Sequence, residues 1–168
     1  QLLNEAVSDL KGESRSKKSI IPQINLQTPA LIPETYILDL SIRLQTYRRL
    51  GNLNKNDEFE NFRIELIDRF GNIPKQLDYL IKIMKIKLNC EDSGIHRIDS
   101  GINGATIEFI NEGYIDPNKF ISWLEKSIYD LKIRSDQKVF IAYKWNNIKE
   151  RLDIIESITS EIKGLVDY

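Results

Sequence analysis

One cysteine and one histidine in 168 residues leave this chain with almost no equipment for metal or thiol chemistry. Cys90 and His96 are too few, and wrongly spaced, to assemble a conventional zinc site. A single cysteine excludes an intrachain disulfide and fits a reducing compartment. Its neighbours Glu91 and Asp92 disfavour a thiolate, and His96 reads as a satisfied strand histidine. No GxxxxGK[ST] occurs, so there is no phosphate-cradling loop of that kind, and GING at 101–104 lacks the third glycine and the strand–helix setting of a dinucleotide site. No apolar run approaches the ~20 residues needed to span a bilayer, and there is no basic-then-apolar leader after Gln1. An excess of one charge is missing too. With 24 basic and 25 acidic residues the net charge is −1, poor for gripping a phosphate backbone over a broad surface, though a local patch stays open. Carboxylate pairs such as Glu91–Asp92 carry no acid–base signal beyond that of any such pair.

What is present is an ordinary globular composition, 41% hydrophobic and 29% charged, in a chain long enough for one domain with a real core. The most informative stretch is ELIDRFGNIP at 65–74. Phe59, Phe62, Leu66 and Phe70 recur at helical spacing and predict a core-facing stripe. Arg69 falls in the last turn, Gly71 at a left-handed C-cap, and Pro74 in the first turn of the next helix, so a tight helix–helix corner is expected. At about 100° per residue, Asn61, Glu65, Asp68 and Arg69 lie on the opposite half. A mixed-charge face is ordinarily solvated, and Glu65–Arg69 is an ordinary i, i+4 pair.

Residues 2–11 read as a short helix with Leu2, Leu3, Ala6, Val7 and Leu10 on one side, followed by the polar linker GESRSKKS. Ile24 and Leu26 alternate as in a short strand that Pro29 and Pro33 interrupt. Pro33-Glu34-Thr35 predicts the start of a helix with Ile37, Leu40, Leu44 and Tyr47 as its core stripe and Gly51 at its end. Asn56 or Asp57 is the expected N-cap of the phenylalanine helix. A third helix, from Pro74 to about Glu91, should bury Leu77, Leu80, Ile81, Met84 and Leu88 and turn Lys82, Lys85 and Lys87 outward. Beyond Gly94 the period changes to strands at 95–100 and 105–110 around a 101–104 turn. A helix from Asp116-Pro117 carries Phe120, Ile121, Trp123 and Leu124. Strands at 129–134 and 138–143 follow, then a long terminal helix with Ile148, Leu152, Ile155, Thr159, Ile162 and Val166 in phase. Helices first and strands later give an α+β class: N-terminal helices packed on a small, mostly antiparallel sheet, with a long C-terminal helix.

Three words in this order, IPETYI at 32–37, RLQTYRRL at 43–50 and ELIDRFGNIP at 65–74, resemble the C-terminal (TRCF) module of the bacterial transcription-repair coupling factor (Mfd) family. The similarity thins through GATIEFI at 104–110 but keeps the order of elements to the terminal helix. QLLNEAVSDLKG at the start is similar to the last helix and exit of that family's motor domain. The resemblance therefore implies residues 1–12 as the tail of a motor domain, 13–22 as linker and 23–168 as the C-terminal module. It implies a cytoplasmic parent that uses ATP to translocate on double-stranded DNA, removes stalled RNA polymerase and recruits excision repair. The module itself is implied to be non-catalytic, without cofactor or metal. It is implied to dock on a UvrB-like N-terminal module and mask the surface that UvrA binds, through positions that match Glu65, Asp68 and Arg69. The alternative from the residues alone is a small nucleic-acid-binding domain using Arg43, Arg48, Arg49 and Lys82, Lys85 and Lys87.

Overall fold

The computed structural model describes residues 21–110, 115–135 and 138–166. The expected helix at 2–11 and its linker lie outside the described residues. The elements run β1 (Gln23–Asn25), α1 (Leu40–Gly51), α2 (Asn56–Phe70), α3 (Lys75–Ser93), β2 (Ile95–Gly101), β3 (Gly104–Phe109), α4 (Pro117–Lys126), β4 (Asp130–Arg134), β5 (Lys138–Ala142) and α5 (Ile148–Lys163). The class is α+β, as the order of periodicities predicts. Five strands form one sheet in the order β1-β2-β3-β5-β4, in which every pair is antiparallel except β1–β2. The hairpin at 101–104 closes with Gly101 opposite Gly104. Gly104 has φ +144°, and a Cβ there would sit 1.9 Å from the Ile141 carbonyl oxygen, so close passage of β5 requires glycine.

Two apolar clusters fill the molecule. One lies beneath the sheet, where Ile95, Ile98, Ile107 and Ile141 meet Leu152, Ile155, Ile158 and Ile162 of α5. The other is helical: Ile32, Ile37, Leu50, Phe59, Phe62, Leu66, Leu77 and Ile81. Helix α3 belongs to both. Its Leu77 and Ile81 enter the helical cluster, with Leu80, Met84 and Leu88 packed partly against it, and its Ile86 and Cys90 enter the sheet cluster. The predicted stripe of α3 is therefore only one of two. Burial pushes the Cys90 thiol well above its usual range, with Glu91 adding to the effect.

Several expectations need correction. Pro33-Glu34-Thr35 makes a single turn, in which the Tyr36 and Ile37 amides donate to the Pro33 carbonyl, and not the start of a helix. Helix α1 starts at Leu40, capped by Asp39, whose Oδ1 accepts from the Ile42 amide at 2.9 Å. That later start changes the buried phase. Thr46 and Leu50 point inward with Ile42 behind them, while Leu40, Leu44 and Tyr47 stand exposed. Neither Asn56 nor Asp57 caps α2. Lys55 occupies the N-cap without a side-chain bond, and Glu58 Oε2 instead accepts from the Asn54 amide. Pro74 is the N-cap of α3 and not a first-turn residue, and Gly71 has positive φ with an extended ψ of −164°. His96 lies in β2 with Nε2 3.3 Å from Glu108, yet its Nδ1 is buried without a partner.

Candidate functional site

Helix α2 holds the predicted site residues. Phe59, Phe62 and Leu66 anchor it in the helical cluster. Its C-terminus is tied down by Tyr36, whose hydroxyl donates to the Gly71 carbonyl at 2.8 Å and lies 3.1 Å from the Leu66 carbonyl. The Tyr36 ring stacks obliquely on Phe70 at 5.7 Å, and the Arg69 guanidinium lies over the other ring of that pair, 4.8 Å from the Phe70 centroid. Tyr47 fixes the neighbouring loop by accepting from the Ile32 amide at 2.8 Å. IPETYI, RLQTYRRL and ELIDRFGNIP thus converge on one cluster. The tyrosines' roles were not legible from periodicity, because each acts through its hydroxyl.

The three predicted residues are not equivalent. Glu65 is gripped by Arg49 of α1, whose Nη1 and Nη2 donate to Oε1 and Oε2 at 2.8 and 2.5 Å. Arg69 Nη1 adds a weaker contact at 3.4 Å. The Arg49 hydrogen bonds hold the Glu65 carboxyl below its usual range and, in return, raise the Arg49 guanidinium. Arg49 also lies 5.5 Å from the Phe62 ring centroid. Asp68 is exposed and makes no ion pair or side-chain hydrogen bond among the described residues. Beside it lie two residues that the charge pattern hid: Ile64 and Ile67 are 64% and 48% exposed. The face called charged is two surfaces: Ile64 and Ile67 lie beside Asp68, whereas Glu65 and Arg69 lie about 100° or more round the helix from Ile64.

The cations of the nucleic-acid alternative are mostly engaged elsewhere. Arg43 donates to the Ile37 carbonyl at 3.0 Å. Lys82 and Lys85 do not point outward: they fill the groove between α2, α3 and α5. Lys82 pairs with Asp153 and Asp78, and Lys85 with Glu60 and Glu156. Arg63 joins the same array through Asp78 at 2.5 Å. Burial pushes the Glu156 carboxyl up despite those lysines. Arg48 and Lys87 are left unpaired among the described residues. Among the described residues no cluster of three or more His, Cys, Asp or Glu could hold a metal ion, and no helix is long and apolar enough to cross a membrane.

The comparisons agree with this geometry. The TRCF domain family matches residues 26–120, more than half of the chain and all three of the converging words. The transcription-repair-coupling factor of Rickettsia bellii is 38% identical over 143 residues, covering 84% of this chain and 13% of that protein. Its Escherichia coli counterpart is 26% identical over 167 residues, 97% of this chain and 14% of that protein. The chain thus spans a small fraction of the relatives it matches. A solved structure of the C-terminal domain of transcription-repair coupling factor superposes with a TM-score of 0.71 at 24% identity, covering 85% of this chain and 94% of that one, so the fold is shared. A helical cluster built from the family's own matched segment, followed by the same sheet and terminal helix, places this chain in the TRCF domain family of transcription-repair coupling factors.

Proposed function

We propose that this domain is a non-catalytic regulatory clasp within a transcription-repair coupling factor. It docks on the UvrB-like N-terminal module of the parent protein and masks the surface that UvrA binds. The parent is read as an ATP-dependent double-stranded DNA translocase of the cytoplasm that displaces stalled RNA polymerase; nucleotide is handled by its motor, and this domain takes no cofactor. The observation that carries the reading is the outward face of α2, where exposed Ile64 and Ile67 sit beside Asp68, which has no partner among the described residues, on a helix anchored by three buried side chains. An apolar centre with a polar rim is the anatomy of a protein interface. A surface held rigidly before contact loses little entropy on docking, which suits a latch.

The test is a titration of this chain into the separately produced UvrB-like module, followed by calorimetry. Saturable binding that Asp68→Lys weakens on the order of tenfold or more supports the clasp. Absence of binding, together with salt-sensitive binding to duplex DNA, would instead favour the nucleic-acid reading.

A further inference from the structure

We infer that Glu65 faces inward as a strut between α1 and α2, that Arg49 is a positioning residue, and that the partner is read by Asp68, Ile64 and Ile67. This inference rests on the docking reading of α2 and divides its residues by role. Both Glu65 oxygens are occupied by the Arg49 fork at 2.8 and 2.5 Å, and Arg69 supplies a third donor at 3.4 Å. A bidentate guanidinium–carboxylate pair is among the strongest and most directional of side-chain contacts. A partner's cation would have to share oxygens that already accept from three guanidinium N–H groups, which makes Glu65 a poorer reader of the partner than a carboxylate with no such donors. The fork is itself held in place, since Arg49 lies over the buried Phe62 ring and Arg69 over Phe70.

Helical geometry gives the same division. At about 100° per residue, Ile64 and Asp68 lie within one narrow sector pointing away from Phe62 and Leu66, with Ile67 beside them and Glu65 on the flank that faces α1. Asp68 is the carboxylate in that sector with no partner among the described residues. The surface it fits is therefore an apolar patch on another protein module carrying a basic side chain opposite Asp68. Arg49, on a different helix, sets the angle at which α2 presents this sector, because its fork fixes α1 against α2 across the loop at 52–55.

Charge reversal of the strut separates the roles. Glu65→Arg alone sets a third guanidinium against those of Arg49 and Arg69 and should weaken docking to the UvrB-like module about two- to fivefold, the range of an exposed ion pair. Adding Arg49→Glu re-forms the pair with opposite polarity. It should return docking to within about twofold of the parent chain at an unchanged melting temperature, whereas Asp68→Lys stays weakened on the order of tenfold or more. If the reversed pair melts normally yet docks no better than Glu65→Arg, Glu65 touches the partner and the inference is overturned, while the docking reading stands. Should the reversed pair fail to fold, the cycle of Arg49→Ala, Glu65→Ala and the double variant decides. Equal losses that do not add support the strut; a loss confined to Glu65→Ala, or no loss from either, overturns it. If Asp68→Lys and Ile64→Ser both bind as tightly as the parent chain, the docking reading falls and the strut assignment with it.

Discussion

Beneath the sheet, Ile95, Ile107, Ile141 and Ile155 are sealed by α3 and α5, and the sheet's other face is dressed with charges that answer one another: Glu108 meets Lys138 at 3.3 Å and Arg97 meets Asp99 at 2.6 Å. The helical cluster is closed just as tightly around Phe59 and Phe62, yet its outer surfaces carry Leu40, Leu44, Ile64 and Ile67 in solvent. The exposed apolar residues of the sheet half sit singly, before β1 (Ile21), at the hairpin tip (Ile102), on α4 (Ile121), before β4 (Ile128) and on its edge (Ile133). Scattered singles need no explanation, whereas neighbours on one helix face do. The sheet half leaves its exposed apolar side chains apart; the helical half leaves apolar neighbours uncovered on α1 and on α2.

The largest effect expected is on that helical cluster. Phe62→Ala should cost about 3–5 kcal/mol and lower the melting temperature of the whole domain in a single transition, because α3 contributes to both clusters. Two separate transitions by calorimetry would break the comparison by making the halves independent units. In the sheet half, Gly104→Ala should cost about 2 kcal/mol or more, since the new methyl meets the Ile141 carbonyl and φ is +144°. Chemical denaturation with unchanged m-value would register it.

Smaller effects sharpen the contrast at the surface. The Glu65 carboxyl is held below its ordinary value near 4.5 by the Arg49 hydrogen bonds. A depressed carboxylate contributes stability that is present above its unfolded value and is lost as pH falls through its folded value. Glu65→Gln should therefore be less stable than the parent chain at pH 7, by a few tenths of a kcal/mol for so exposed a pair. The two stability curves should begin to converge as pH falls below the ordinary value near 4.5 and meet below the depressed one. Smallest of all, Ile64→Ser should change stability by no more than about 0.5 kcal/mol while weakening docking. A large loss of stability would place Ile64 in the fold and remove it from the face.

Legibility in the sequence followed the physics of each signal. Alternation and helical period located the nine elements from Leu40 onward, with small boundary errors at all but α1, whose expected start at Pro33 is a separate turn, because burial on one face leaves a periodic trace. The same reasoning failed at α1, where Leu40, Leu44 and Tyr47 are apolar and in phase yet face outward. A stripe shows that a face is apolar, and not that its own domain covers it. It failed again at Lys82 and Lys85, whose long stems let charged ends lie between helices once Asp153, Asp78, Glu60 and Glu156 come near from distant parts of the chain. At the proposed docking face the sequence and the resemblance together marked Glu65, Asp68 and Arg69. They could not rank them, because Glu65 acquires its partner from α1 only through tertiary packing.

The parallel pairing of β1 with β2 also bears on how the domain comes into being. Gln23 is joined to Arg97 and Asn25 to Asp99, with all of α1, α2 and α3 in between. On a ribosome, synthesising from the N-terminus, β1 emerges first and must wait for β2 before it has an edge to join. The contacts of the phenylalanine cluster are closer along the chain and become available earlier. Nascent chains stalled so that Ile81 has just cleared the ribosomal exit tunnel should therefore already shield Phe59 and Phe62 from a protease, while residues 21–27 are still cut. The outward face of α2 is then presented while the domain that carries it is still being made.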